Sequence, residues 1–427
     1  MGKCIWKSRI IKELRSMKKI TLLCFTGYPL SVMLANFSMY NFPYSDIICF
    51  ALFMIVAILA AISTSSAFNF RKKSCLLWTF GWLFIYFFTF ILNRYLAYSK
   101  FLFYIYGIFF LGLRKDNQIK IINSFINFLA FLLPFSVIEY ILYFVFDYGI
   151  VLGDITRNAF NGSQYYFKQL IFNVVDDFTL YPRFSGLTEE PGLIGTLCGF
   201  LLFYTDKAKS MRKQFYVFLI SGIVSLSLAY YIILVFFLLT KITSFAKLFA
   251  GLIVGSVLIG TMYKLNSDAF ELLIVERIGD NDIESIDNRS SSTFDFYFEQ
   301  SVSSGSIIFG NGHLPQALSS PKENGRDEGG IAGAKKWIYQ YGLVAFLIVF
   351  VMYLVIYKFN KNIILEKIKW EDIVFLVIFW ISFYQRETII YPYTLLAYVG
   401  ISLIRKSKVK GGSNKTNMNY MSEINKR

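Results

Sequence analysis

Long apolar runs separated by short polar punctuation recur along the whole chain. A helix crossing a hydrocarbon core of about 30 Å needs about 20 apolar residues. Runs of this kind fall near 20–37, 46–63, 75–93, 99–113, 121–146, 189–205, 214–240, 246–263, 336–357, 372–384 and 389–404. The run at 214–240, QFYVFLISGIVSLSLAYYIILVFFLLT, reads either as one long helix or as a tight pair broken near Ser225–Ser227. Basic residues decide between them, because Lys and Arg favour the cytoplasmic side of short loops. With residues 1–19 inside and 214–240 counted as two passes, the inside segments hold 30 of the 43 Lys and Arg. Counting one pass would move Arg405, Lys406, Lys408 and Lys410 outside. The pattern therefore predicts an all-α polytopic membrane protein with about twelve transmembrane helices (range 10–12) and both termini cytoplasmic. Each half of 214–240 is short for a full span, which suits a broken hairpin.

Residues 1–404 read as a single polytopic membrane domain with no internal repeat. Two long extracytoplasmic loops interrupt it, at 147–188 and 264–335, and a polar tail at 405–427 reads as cytoplasmic and disordered. The first apolar run is followed by YNFPYSD rather than by a small-residue cleavage site, so the first helix is expected to stay as an anchor.

Composition agrees with the pattern. Of 427 residues, 56% are hydrophobic and 17% charged, and the mean hydropathy of +0.51 lies outside the range of an ordinary soluble domain. The net charge of +15 would suggest nucleic acid in a soluble protein. Here most of the excess flanks helices on the side of anionic lipid headgroups, so membrane lipids are the expected partner and nucleic acid is not. Cys4, Cys24, Cys49, Cys75 and Cys198 all lie outside the two long loops, and no Cys/His spacing fits zinc. Neither a disulfide framework nor a metal or cofactor is expected. Aromatic residues make up 19% of the chain. They suit the membrane interfaces.

Polar chemistry is concentrated in the loops. Within the spans Glu139 is the clear ionisable exception. It reads either as part of an ion or proton path or as a carboxylate bonded to a neighbouring helix or facing a cavity. The second loop carries twelve Asp and Glu against six Lys and Arg. In it, DAFELLIVERIGD has the spacing of an amphipathic surface helix. The serines of DNRSSSTFDFYFEQS can cap a helix starting near Thr293, just after Arg289, and such a helix start favours anions. IIFGNGHLP then forms a glycine-punctuated turn carrying His313, the chain's single histidine.

The densest polar string is YPRFSGLTEEPGLIG, residues 181–195, at the mouth of an apolar run. Pro182 and Gly186 argue against regular structure before that run. Thr188 or Glu189 can cap the helix that follows, with Pro191 in its first turn. Glu190 then stands at a helix start at the membrane surface, a few residues from Arg183. Capping and an interfacial, snorkelling arginine account for much of this string, but not for an arginine and two glutamates gathered beside a glycine-rich helix.

The string Arg183-Phe-Ser-Gly186-Leu-Thr-Glu-Glu190-Pro191-Gly192, followed by an apolar run, resembles the signature of bacterial oligosaccharide repeat-unit polymerases. These form the Wzy or O-antigen polymerase group, which is similar in architecture to the O-antigen ligases. SLSLAYY resembles the serine-containing break of that group. Arg289 with IIFGNG, ending at Gly312, resembles the arginine and glycine turn of its second large loop. KKWIYQYGLVAFLIVF resembles the helix that follows that loop, and YQRETIIYPYTLL its last polar turn. The resemblance spans roughly 180 to 400. In one departure, neither loop carries an arginine with a glycine eleven positions later, a spacing some members have.

The resemblance implies a GT-C-like membrane fold in a bacterial cytoplasmic membrane. The implied activity joins polyprenyl-diphosphate-linked oligosaccharide repeats on the outer face, without a nucleotide sugar or a metal. Flippases and chain-length regulators of the same pathway are implied as partners. Such chemistry needs cations for the diphosphate and a base near the acceptor hydroxyl. Arginine suits the first task because its planar fork pairs with phosphate oxygens. Arg183 and Arg289 are the candidates, with Arg386 in the last outside turn as a third. Glu190 is the favoured base or acceptor-orienting group, Glu189 the fallback, and His313 a contact to phosphate or acceptor. A ligase that moves finished glycan to a final acceptor is the near alternative. A lipid-linked oligosaccharide flippase is the more distant one, although it would call for repeat symmetry and a polar central cavity. A purely structural membrane component is the remaining reading.

Overall fold

The structure is a computed structural model describing residues 72–93, 98–146, 148–158, 164–176, 184–241 apart from 187 and 189, 292–315, 333–361, 369–385 and 392–404. The spans expected at 20–37, 46–63 and 246–263, the surface helix of DAFELLIVERIGD and the tail from 405 lie outside the described residues. The described chain is mostly helical: α1 Lys73–Asn93, α2 Tyr98–Gly112, α3 Lys115–Phe146, α4 Pro191–Lys207, α5 Arg212–Val224, α6 Leu228–Leu239, α7 Ser292–Ser303, α8 Gly333–Lys361, α9 Trp370–Gln385 and α10 Pro392–Leu403. Among these, α1, α3 and α8 are long and apolar enough to cross a membrane, whereas α6 and α10 are apolar but shorter. This architecture is compatible with a membrane protein.

The outward faces support that reading. On α1, Trp78, Trp82 and Ile85 are buried, while Phe80, Phe87 and Ile91 are more than half exposed. A helix that is apolar on both faces has no polar side to give to water. An exposed apolar surface of this kind suits lipid.

The run at 214–240 is broken, as one of its two readings expected. α5 and α6 are joined at Ser225-Leu226-Ser227, where Leu226 has a positive φ of 48°. Tyr230 donates from its hydroxyl to the Leu219 carbonyl at 3.0 Å, and Tyr231 to that of Ile223 at 2.9 Å. These bonds fold α6 back along α5. Gly222 makes room for the turn, since a Cβ there would lie 2.0 Å from the Tyr230 ring. Helices of 13 and 12 residues extend only about 18–20 Å at 1.5 Å per residue, short of the hydrocarbon thickness.

The core lies around α4 and α10, whose residues are nearly all buried. α4 packs against α5, α6 and α10, and α10 also against α3 and α8. α1 and α9 flank α8. Aromatic rings fill the centre. Tyr353 of α8 meets Tyr398 of α10 at 4.9 Å, Phe379 of α9 at 5.4 Å and Trp78 of α1 at 5.9 Å. The Tyr398 hydroxyl donates to the Tyr353 carbonyl at 2.8 Å. These aromatics are packing, and the Trp78 ring N–H also donates to the Tyr104 carbonyl at 3.0 Å.

A layer of lysines closes one end of the bundle. Lys207 of α4 and Lys361 of α8 both reach Asp372 of α9, at 3.2 and 3.1 Å, and the Tyr357 hydroxyl donates to the same carboxylate at 2.8 Å. Lys241 pairs with Asp206, and Lys115 donates to the Asn360 carbonyl at 3.2 Å. Lys72 donates to the Leu113 carbonyl at 3.0 Å. Burial and, second, the neighbouring Lys115 charge pull the Lys72 pKa down to about 8. Described lysines from five of the seven segments that the alternation of passes assigned to one side therefore meet at one end.

The structure corrects two expectations. The first long loop is not irregular throughout, so the chain is not strictly all-α. It holds an antiparallel sheet of β1 Gly153–Asn158, β2 Gln164–Gln169 and β3 Val174–Asp176, in the order β1-β2-β3. Gly153 pairs with Gln169 and Asn158 with Gln164, while Gln169 also pairs with Val174. The connection between β1 and β2 contains Asn-Gly, a hairpin signal. The second correction concerns the start of α4. Its N-cap is Glu190, with φ −140° and ψ 140°, and not Thr188 or Glu189. Pro191 is the reason, because a proline pushes the residue before it into extended backbone.

Asp372→Asn leaves Lys207 and Lys361, both largely buried, without their carboxylate. Breaking a buried pair in this way costs about 3–5 kcal/mol. The expected outcome is a clearly lower thermal midpoint in detergent than wild type, with Asp372→Glu in between. An unchanged midpoint would show that the layer does not hold the three helices.

Candidate functional site

The end opposite the lysine layer carries the polar loops. The site there begins on α3. Glu139 accepts from the backbone N–H groups of Ile171 and Phe172, at 2.9 and 2.8 Å, and from the Asn173 side-chain amide at 2.8 Å. Asn173 also donates to the Ser136 carbonyl at 2.8 Å, and the Ser136 hydroxyl lies 2.8 Å from both the Phe172 carbonyl and Asn173 Oδ1. Among the described residues Glu139 thus bonds to the first loop rather than to a neighbouring helix. It clamps the turn between β2 and β3 to α3. An acid alone in an apolar run was the sequence signal for this role, but its partners are loop backbone that no pattern marks.

From the clamp the contacts run to the string at 181–195. The Val174 N–H donates to the Gly186 carbonyl at 3.3 Å. Gly186 has φ +55°, in the left-handed region that glycine adopts without strain. Phe184 is fully buried and meets Tyr140 of α3 edge-on at 5.5 Å. The Thr188 hydroxyl is 2.8 Å from the Ser185 carbonyl and 2.9 Å from that of Glu190. It holds the turn into α4 rather than capping the helix. Glu190 itself is exposed, makes no side-chain cap bond, and accepts the Leu193 N–H on its carbonyl at 3.0 Å.

One turn further on, α4 meets the break between α5 and α6. A Cβ at Gly195 would lie 2.7 Å from Ser227 Cβ and 3.0 Å from Ser225 Oγ. Gly195 stands about 6 Å along the axis from the first residue of α4. The strained Leu226 and the buried Ser225 and Ser227 therefore sit at the depth of the first turns of α4. Nothing in the sequence marks Leu226 for positive φ.

A second assembly joins the second loop to α8. α8 is broken at Gly342, with φ 88° and ψ 162°, a conformation essentially restricted to glycine. The FGNG turn fills the break. The Asn311 N–H donates to the Tyr339 carbonyl at 2.7 Å, and the Gly312 N–H to that of Gln340 at 3.0 Å. These are carbonyls that a continuous helix would bond to its own residues four positions on. The two backbones touch: a Cβ at Gly310 would lie 2.5 Å from Gly342 N, and one at Gly342 would lie 2.4 Å from Phe309 C. α7 supports the turn through Ser301, whose hydroxyl accepts from the Asn311 side chain at 2.7 Å, and is itself tied to the start of α8 by the Lys335–Asp295 pair at 3.1 Å.

Of the candidate side chains, Glu190 belongs to the first assembly and His313, exposed in the FGNG turn, to the second. Arg183, Glu189, Arg289 and Arg386 lie outside the described residues. Among the described residues no three His, Cys, Asp or Glu side chains form a metal-ligand group. The chain matches no protein-family model, no curated protein and no solved structure.

Gly342→Ala should unseat the FGNG turn, because the new methyl meets Phe309 backbone and the required φ and ψ are strained. Limited proteolysis between 304 and 315 is expected to speed up by about 10-fold or more. An equal rate in the variant would mean that the turn does not depend on the break.

Proposed function

We propose that the chain polymerises polyprenyl-diphosphate-linked oligosaccharide repeat units into a surface polysaccharide, on the outer face of the bacterial cytoplasmic membrane. One observation supports this reading above the others. The string ending in EEPGLIG and the SLS break, separate in sequence, meet at Gly195 and Ser227 at the loop end of the bundle. Both are among the stretches that resemble oligosaccharide polymerases. In this reading the lysine layer faces the cytoplasm, and both termini lie there as well.

The reaction is a glycosyl transfer. An acceptor hydroxyl oxygen of one repeat bonds to the anomeric carbon of the chain carried on the lipid. The bond from that carbon to the diphosphate oxygen breaks, and the lipid diphosphate leaves with the electron pair. Glu190 takes the hydroxyl proton or orients the acceptor, and its exposed position at a helix start leaves it accessible. Glu189 is the fallback. Arg183, next to the anchored Phe184, and Arg289, before α7, supply positive charge to the diphosphate. Arg386 is the third such group, and His313 a contact to phosphate or acceptor. Arginine forks suit this role without a metal ion. Flippase and chain-length regulator would work beside the polymerase.

The test is the length distribution of surface glycan in cells lacking the protein and complemented with wild type, Arg183→Ala or Glu190→Gln at matched membrane abundance. Loss of a charge-stabilising group costs on the order of 10²-fold. The expected result is single repeats on deletion, ladders with wild type and no ladder with either variant. Finished chains left unattached to their final acceptor would favour the ligase. Repeats trapped inside the cell would favour a flippase. Full ladders from both variants would remove the string from the site.

A further inference from the structure

We infer that Glu139 is a positioning residue, the latch that sets where the first loop presents Glu190. That Glu190 is the reacting group rests on the proposed function, whereas the latch itself rests on geometry alone. A carboxylate with three donors at 2.8–2.9 Å has both oxygens engaged, and hydrogen bonds to a charged group are among the stronger ones. Its partner Asn173 is 2% exposed, and Ser136, which bonds to Asn173 and to the Phe172 carbonyl, is 0% exposed. The loop is fixed to α3 twice on one face, since Ser136, Glu139 and Tyr140 are three to four residues apart. Ser136 and Glu139 hold the turn at 171–173, and Tyr140 packs on Phe184. The Val174–Gly186 bond ties the two attachments together, and Thr188 passes the constraint to the Glu190 carbonyl. Each link from Glu139 to the start of α4 is a hydrogen bond or a packed ring.

Glu139→Gln keeps the volume and one acceptor. Whichever way its amide is turned, the nitrogen faces at least one of the three donors, the Ile171 N–H at the least, and the negative charge that strengthened the other bonds is gone. The latch should open while the rest of the bundle stays folded.

The experiment uses the full chain in membranes, with its five native cysteines replaced by alanine. One cysteine is introduced at Ser185, which is 6% exposed beside the Gly186 turn, or at Thr205, which is 1% exposed near the lysine layer. A charged maleimide, applied to permeabilised membranes so that it reaches both ends of the bundle, reports exposure at each. In Glu139→Gln and Glu139→Ala, labelling at 185 is expected to rise by about 10-fold or more while 205 stays protected, the pattern of a local opening. Glu139→Asp, which keeps the charge, should restore part of the protection. Unchanged labelling at 185 overturns the latch. An equal rise at both probes also overturns it, because it would make Glu139 a general stability residue. Glycan ladders are scored on the same strains. If position 185 opens and ladders persist at wild-type length, the positioning role is overturned. If wild type itself makes no ladder, the polymerase reading fails and the labelling still decides the latch.

Discussion

Backbone N–H and C=O groups in a hydrocarbon environment must find partners within the protein, because no water is there to serve them. The chain departs from regular helix at several places near its loop end, and each departure described above supplies substitute partners. At Gly342 the helix opens and the FGNG turn provides the two N–H groups that the freed carbonyls accept. At Ser225 the hydroxyl donates to the Gly222 carbonyl at 2.6 Å, while Tyr230 and Tyr231 serve carbonyls further back in α5. At 171–173 a carboxylate from α3 collects two backbone N–H groups of a loop. Irregular backbone is affordable here because side chains and neighbouring loops are already in place to satisfy it.

The two ends of the bundle are built differently. At the lysine end, cations share few carboxylates, and one aspartate holds two lysines and a tyrosine hydroxyl. Such a cluster binds α4, α8 and α9 to one another and leaves little freedom. At the loop end the chain uses glycines at positive φ, a strained Leu226 and an exposed Glu190. Strained and exposed groups gather where function is found more often than where helices merely need to be held. The aromatic core between the ends carries the packing, which frees the loop end for shape.

The clamp also bears on the alternative readings. A transporter would draw on polar groups along a central path. Among the described residues, Glu139 bonds to loop backbone and the Asn173 amide, and Tyr353, Phe379, Tyr398 and Trp78 pack together in the middle of the bundle.

Hydropathy by itself determined most of the described helices. The spans expected at 75–93, 99–113, 189–205, 336–357 and 372–384 recur within a few residues as α1, α2, α4, α8 and α9, because burying apolar side chains in lipid is a local property of each run. The break at Ser225–Ser227, the helix near Thr293 and the glycine turn at 310–312 were legible for the same reason, since serine and glycine alter backbone preferences where they stand. The sheet in the first loop, the docking of FGNG into α8 and the meeting of Gly195 with Ser227 were decided only by the tertiary structure. Each depends on which distant backbone offers a donor, an acceptor or the space of a missing Cβ. A single acid at 139 announced that something polar had to meet it, and only the folded chain could show that its partners were the N–H groups of residues 171 and 172 and the amide of Asn173.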